Sequence, residues 1–206
     1  MTTPLPVFVG ESNPYGGDPR HALFPLPIGS AGHRLQTLVC GVRRSTYVGF
    51  PRYDLCAGKW SLPAARARGL EITGIHRDAL IVMLGRKVAA AFGYAHLDFY
   101  TAVDDLGLVH IPHAPLRALR GDERFVRVLL PHPSGLCREW HKLGAFEHGR
   151  DLLRTVAPHI RWGELGGPIR GSEAPDPLAC TNCGAFKSGN VCPECGEDQG
   201  ETRAVR

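Results

Sequence analysis

The chain has 206 residues, 43% of them hydrophobic, with 25 Gly and 17 Pro; this suits a globular protein with one sizeable core and many turns, and excludes a disordered or collagen-like chain. Lys and Arg number 24 against 20 Asp and Glu, a formal charge of +4, which permits a nucleic-acid partner without requiring one. No apolar run approaches the roughly 18 residues of a membrane span, and Met1-Thr2-Thr3-Pro4 has neither the basic start nor the apolar core of a secretory signal, so a cytoplasmic protein with no membrane partner is expected.

In chain order, Val7-Phe8-Val9 reads as a short buried strand. It runs into Gly10-Glu11-Ser12-Asn13-Pro14-Tyr15-Gly16-Gly17, a polar segment rich in turn residues. Residues 18–32 carry too much Pro and Gly for a regular helix, and Phe24 within them is either a core plug or a stacking platform. Residues 35–41 supply the apolar face of a first helix. Residues 63–69 are helical, with Gly69 as the stop. Ala79-Leu80-Ile81-Val82-Met83-Leu84 is the best central strand. Gly85 and a helix over 86–92, closed by Gly93, complete a strand-glycine-helix unit typical of doubly wound α/β proteins. Residues 108–113 form a strand or an extended segment, and 116–120 are short and basic. Phe125–Leu130 is the next strand. A broken amphipathic helix over 138–157 follows, weakened by Gly144 and Gly149 and ended by Pro158. The expected architecture is a parallel central sheet flanked by helices, a three-layer α/β/α domain over 1–162, then a Gly/Pro-rich linker over 163–177.

Seven cysteines are present, three of them scattered (Cys40, Cys56, Cys137). The other four, Cys180, Cys183, Cys192 and Cys195, make two CxxC knuckles separated by eight residues. Each knuckle aims two thiolates at one ion, and the pair closes a tetrahedral site with no open position for catalysis. A structural zinc ribbon over 178–200 is expected, too small to fold without metal. A redox dithiol and a rubredoxin-like iron site are the alternatives.

The strand over 125–130 delivers Pro131-His132-Pro133-Ser134-Gly135-Leu136. An imidazole, a hydroxyl and a small-residue turn at a strand end are an arrangement that α/β proteins use for chemistry. On the residues alone, Leu136 is either an exposed tip or a core leucine. His113, in Pro112-His113-Ala114-Pro115, has a similar setting but lacks the serine. Ser134 as a hydrolase nucleophile would need a G-x-S-x-G elbow, which is absent.

Three segments in this order resemble the uracil-DNA glycosylase superfamily. Gly10 to Tyr15, with its Asn13-Pro14-Tyr15, is similar to the family's water-activating motif. Ile81-Val82-Met83-Leu84-Gly85 looks like its central strand-helix unit, and His132-Pro133-Ser134-Gly135-Leu136 like its His-Pro-Ser loop. The resemblance spans roughly residues 7 to 157 and leaves the ribbon outside. It implies a DNA glycosylase that flips out a pyrimidine base and hydrolyses its N-glycosidic bond. Asn13 would orient water with Glu11 in support, although some branches place a Glu after the motif's Gly, so either residue could lead. His132 would stabilise the leaving base. Ser134 and Gly135, with Arg138, would hold phosphate, and Leu136 would wedge into the vacated stack. Tyr15 would lie beside the pyrimidine edge, and Phe24 would stack on the ring. No Schiff-base lysine is indicated, so a monofunctional, monomeric enzyme without an iron–sulfur cluster is expected.

The family often reads uracil through an Asn after an apolar strand, where this chain has Asp54. An ionised Asp offers only acceptors, which suit the exocyclic amine of cytosine. A cutter of unmodified cytosine would be toxic, so the expected target is a hydroxymethylated or glucosylated cytosine of phage DNA, removed in antiviral defence. Against this, an aromatic at the place of Tyr15 blocks ring-position-five substituents in uracil-specific members. Uracil removal in base-excision repair is one alternative. A non-catalytic nucleic-acid-binding protein that relies on the ribbon is another. Asp54 could also simply cap a following helix.

Overall fold

The computed structural model describes residues 4–12, 21–110, 125–134 and 136–163. Six strands form one sheet: β1 (Val7–Ser12), β2 (Arg52–Cys56), β3 (Ile81–Leu84), β4 (Thr101–Asp104), β5 (Val109–His110) and β6 (Phe125–Leu130), in the order β2-β1-β3-β6-β4-β5. The first four positions in that order are mutually parallel. β3 lies at the centre and all four of its residues are buried, which is why it reads as unbroken apolar sequence.

Helices cover both faces. α1 (Ala31–Arg34) runs on as a wider π-helical stretch, Leu35–Cys40. With α2 (Arg44–Val48) and α5 (Ala145–Val156) it packs on Phe8, Val82, Leu84, Val128 and Leu130 through Leu35, Val39, Tyr47, Leu152 and Leu153. The opposite face, Val7, Val9, Ile81, Met83 and Leu129, is covered by Ala65 and Ile72 of α3 (Leu62–Ile75) and Val88 and Ala89 of α4 (Arg86–Ala91). The α/β class expected from sequence is the class observed. Among the described residues no helix is long and apolar enough to cross a membrane.

The sheet is not wholly parallel. β4 runs antiparallel to β6, and β5 antiparallel to β4. Only four residues join β4 to β5, a length that suits an antiparallel pair and not a crossover. The Asp104 carboxylate holds that turn by accepting from the Leu106 and Leu108 amides at 3.0 and 2.8 Å.

Other local expectations are also corrected. Gly10, Glu11 and Ser12 belong to β1 and not to the turn after it. Gly69 does not stop α3, which continues to Ile75. A Cβ at this buried glycine would stand 3.5 Å from the Phe92 ring, an ordinary contact distance, so α3 carries Gly69 at a helix-propensity cost of about 1 kcal/mol and a small side chain would fit there. The helix expected over 138–157 divides into a 3₁₀ turn, Arg138–His141, and α5, with Gly144 at φ +76° between them.

Trp162 is 3% exposed and packs against Phe50 and Phe8 at ring separations of 5.7 and 6.5 Å. Its indole N–H donates to the Ala157 carbonyl at 2.9 Å. Trp162→Ala is expected to lower stability by about 3–5 kcal/mol, measured as a shift in the denaturant midpoint at unchanged slope. Residues 111–120, the linker over 163–177 beyond Gly163, and the four-cysteine ribbon expected over 178–200 lie outside the described residues.

Candidate active site

The carboxyl ends of β2, β1, β3 and β6 lie side by side, with Gly10 beside Asp54, Ser12 beside Cys56, and Leu84 beside Leu130. In an open parallel sheet this edge is where ligands bind. Here it carries Glu11, Asp54, Gly85, His132 and Ser134.

His132 stands two residues past the end of β6, after Pro131, and is half-buried. Its backbone is held from two sides: the Trp140 indole N–H donates to the His132 carbonyl at 2.8 Å, and Arg34 Nε donates to the Pro133 carbonyl at 3.1 Å. The Ser134 amide donates to His132 Nδ1 at 3.2 Å. Nδ1 therefore accepts, and in the neutral ring the proton sits on Nε2. Burial lowers the His132 pKa from its ordinary value; Glu11 opposes the shift and Lys87 adds to it. Gly85, at φ +102°, lets this ring approach, since a Cβ there would stand 3.3 Å from His132 Cβ.

Glu11 is near the end of β1. Lys87 Nζ donates to its Oε1 at 2.5 Å. The carboxylate side chain is 29% exposed and the lysine 57%. The ammonium also lies 5.7 Å above the Trp60 ring.

Asp54 sits in β2 against Gly10. A Cβ on that glycine would come within 2.3 Å of Asp54 Oδ1 and 3.3 Å of Leu23, so only glycine leaves the carboxyl its place. Burial pushes the Asp54 carboxyl up to about 6. The neighbouring segment is fixed by Tyr47 Oη, which donates to the Leu23 carbonyl at 2.9 Å, and by Arg52 Nε, which donates to the Ala22 carbonyl at 3.3 Å. Phe24 follows, half-buried, with the Arg44 guanidinium 5.6 Å over its ring. One face of Phe24 is thus already covered by Arg44. The helix-cap alternative for Asp54 fails: it is a strand residue, and the next helix begins at Leu62 behind Ser61.

Leu136 is 93% exposed, which rules out the core alternative, and Arg138 is exposed beside it. The structure thus gathers Glu11, Asp54, His132 and Ser134 at one edge, with Leu23, the residue before Phe24, near Asp54 at Gly10, and with Leu136 exposed. Asn13, Tyr15, His113, Gly135 and the four cysteines Cys180, Cys183, Cys192 and Cys195 lie outside the described residues. Among the described residues no cluster of His, Cys, Asp and Glu could hold a metal ion.

Sequence reading missed Lys87, Trp60 and Trp140 as parts of the site. The position of Lys87, three residues past a central strand's end, was the available signal. Comparison with family models, with curated proteins and with solved structures gives no match to this chain.

Proposed function

We propose that the chain is a monofunctional DNA glycosylase. One observation carries this reading: an imidazole whose Nδ1 accepts from the Ser134 amide, leaving Nε2 as the donor, in the same loop as a leucine 93% exposed. Such a loop can insert an apolar tip into a duplex and present a hydrogen-bond donor to the displaced base.

The chemistry runs as follows. The target base is extruded, and Leu136 fills the gap. As the glycosidic bond lengthens, the sugar gains oxocarbenium character and the base gains negative charge. His132 Nε2–H donates to the base carbonyl where that charge collects. Glu11, with Asn13, orients water toward the sugar carbon, and the carboxylate stabilises the cation. The Ser134 amide is already used by His132, so its hydroxyl is what remains for a phosphate. Asp54 reads the base, and its acceptor oxygens favour an exocyclic amine, hence a modified cytosine. Cys180, Cys183, Cys192 and Cys195 would hold a structural zinc, and no step is routed through it.

The test is a panel of duplexes carrying uracil, cytosine, hydroxymethylcytosine and glucosylated cytosine, with released bases detected by mass spectrometry. Release of the modified cytosines is expected; fast release of uracil alone would move the assignment to uracil repair, and binding without release would make the protein a non-catalytic binder. Leu136→Ala is expected to slow excision from duplex DNA by about tenfold or more, the equivalent of roughly 1.4 kcal/mol of lost gap-filling, while excision from single strands is unchanged. Equal effects on both substrates would remove Leu136 from the wedge role.

A further inference from the structure

Lys87 links two groups that the proposed chemistry uses. It stands on α4, two residues after the glycine that packs against His132, and α4 is anchored by the buried Val88 and Ala89. Its ammonium donates to Glu11 on β1 and lies over Trp60, which comes from the segment between β2 and α3. Three separate elements therefore define its place. An exposed ion pair contributes little stability, but this one joins residues 76 apart in sequence and holds a carboxylate only 29% exposed. Its consequence is geometric.

It is also electrostatic. Among the described residues, the charged groups acting on His132 are Glu11 from β1 and Lys87 from α4, with opposite signs; Arg34 meets the same loop at the Pro133 carbonyl. A carboxylate alone beside the imidazole would favour its protonation. We propose that Lys87 is the positioning residue of this site: it fixes the Glu11 carboxylate and offsets that carboxylate's pull on His132, so that one ammonium serves both the water-orienting and the base-receiving side. This rests on the glycosylase reading above.

Two measurements test it. The first needs no substrate: NMR titration of the His132 ring proton in the full chain. Lys87→Gln is expected to raise the midpoint by about 0.5 pH unit or more, Glu11→Gln to lower it, and Lys87→Arg to stay near wild type. A midpoint that Lys87→Gln does not move overturns the proposal. The second is single-turnover excision across pH. Lys87→Gln is expected to slow it about tenfold at neutral pH and move the acid limb upward, with Lys87→Arg restoring most of the rate. A loss with an unmoved acid limb and no rescue by arginine overturns the positioning role. So does a borohydride-trapped DNA adduct that disappears in Lys87→Gln, which would make the lysine a nucleophile. If the titration shifts appear and wild type releases no base, the coupling through Lys87 stands and the glycosylase reading falls.

Discussion

Replacing His132 with alanine is expected to lower single-turnover base excision by about two to three orders of magnitude, the usual cost of removing a donor aimed at developing negative charge, while duplex affinity stays within a few-fold. Part of the loop backbone is held independently of the ring: Trp140 donates to the His132 carbonyl and Arg34 to the Pro133 carbonyl whatever side chain stands at 132. The bond from the Ser134 amide to Nδ1 is lost with the imidazole, so the variant removes that tie together with the base-facing N–H. Loss of binding in parallel with excision would instead make His132 a structural part of the DNA surface.

The same residue sets an acid limit. Its folded pKa lies below the ordinary histidine value, mainly through burial. The unfolded chain then binds the proton more readily than the folded one, so this contribution to stability is complete above the unfolded value and is lost as pH falls from there through the lower, folded value. Activity and stability should both decline on the acid side, and His132→Ala should remove its share of the stability decline. Denaturant midpoints at several pH values, wild type against variant, measure this.

Asp54→Asn is expected to have the second large effect, with opposite signs for stability and for function. The carboxyl is raised from 3.8 to about 6 by burial. For an acid with a raised folded pKa, stability is complete below the unfolded value and is lost as pH rises from there through the folded value. Above that window the ionised carboxylate costs up to about 3 kcal/mol. Asparagine has the same shape without the charge, so the variant should be more stable than wild type at pH 8 and close to it at pH 4. Thermal unfolding at the two values decides, and equal midpoints throughout would refute the burial argument.

The functional half follows from donor count. Under the proposed base reading, ionised Asp54 would accept from an exocyclic amine but repel the lone pair of the adjacent ring nitrogen. Protonated, it would give its O–H to that nitrogen and accept from the amine, making two bonds. An amide at position 54 instead matches a carbonyl and a ring N–H, the edge of uracil. Asp54→Asn should thus shift the ratio of cytosine-type to uracil excision by about 10- to 100-fold toward uracil, the worth of one good paired contact. An unchanged ratio would take base reading away from Asp54.

The centre of the fold was readable in sequence because burial on both faces leaves one physical signature. Ile81–Leu84 is apolar throughout for that reason, and Gly85 with the helix after it marks the turn that receives His132. The antiparallel edge was not readable. Thr101 and Asp104 look like surface residues, yet they are buried, and they are satisfied by local backbone: Thr101 Oγ1 donates to the Asp98 carbonyl at 2.7 Å, and Asp104 caps its own turn. Gly69 misled for another reason: glycine suggests a helix stop, yet one inside a packed helix costs only about 1 kcal/mol and is carried by the burial of its neighbours Ala65 and Ile72. At the site, His132 and Leu136 could be singled out from their motif. Lys87 could not, because its partner lies on another strand and no local spacing announces an ion pair across 76 residues.

Trp140 has a mechanical consequence. Its indole N–H is tied to the His132 carbonyl, while its ring lies flat on Phe146 in the first turn of α5, at 5.0 Å and 5°. The His132 carbonyl is therefore braced by a helix as well as by the end of β6, like a shelf carried on two brackets, and a change that moves α5 reaches the root of the loop through one indole ring.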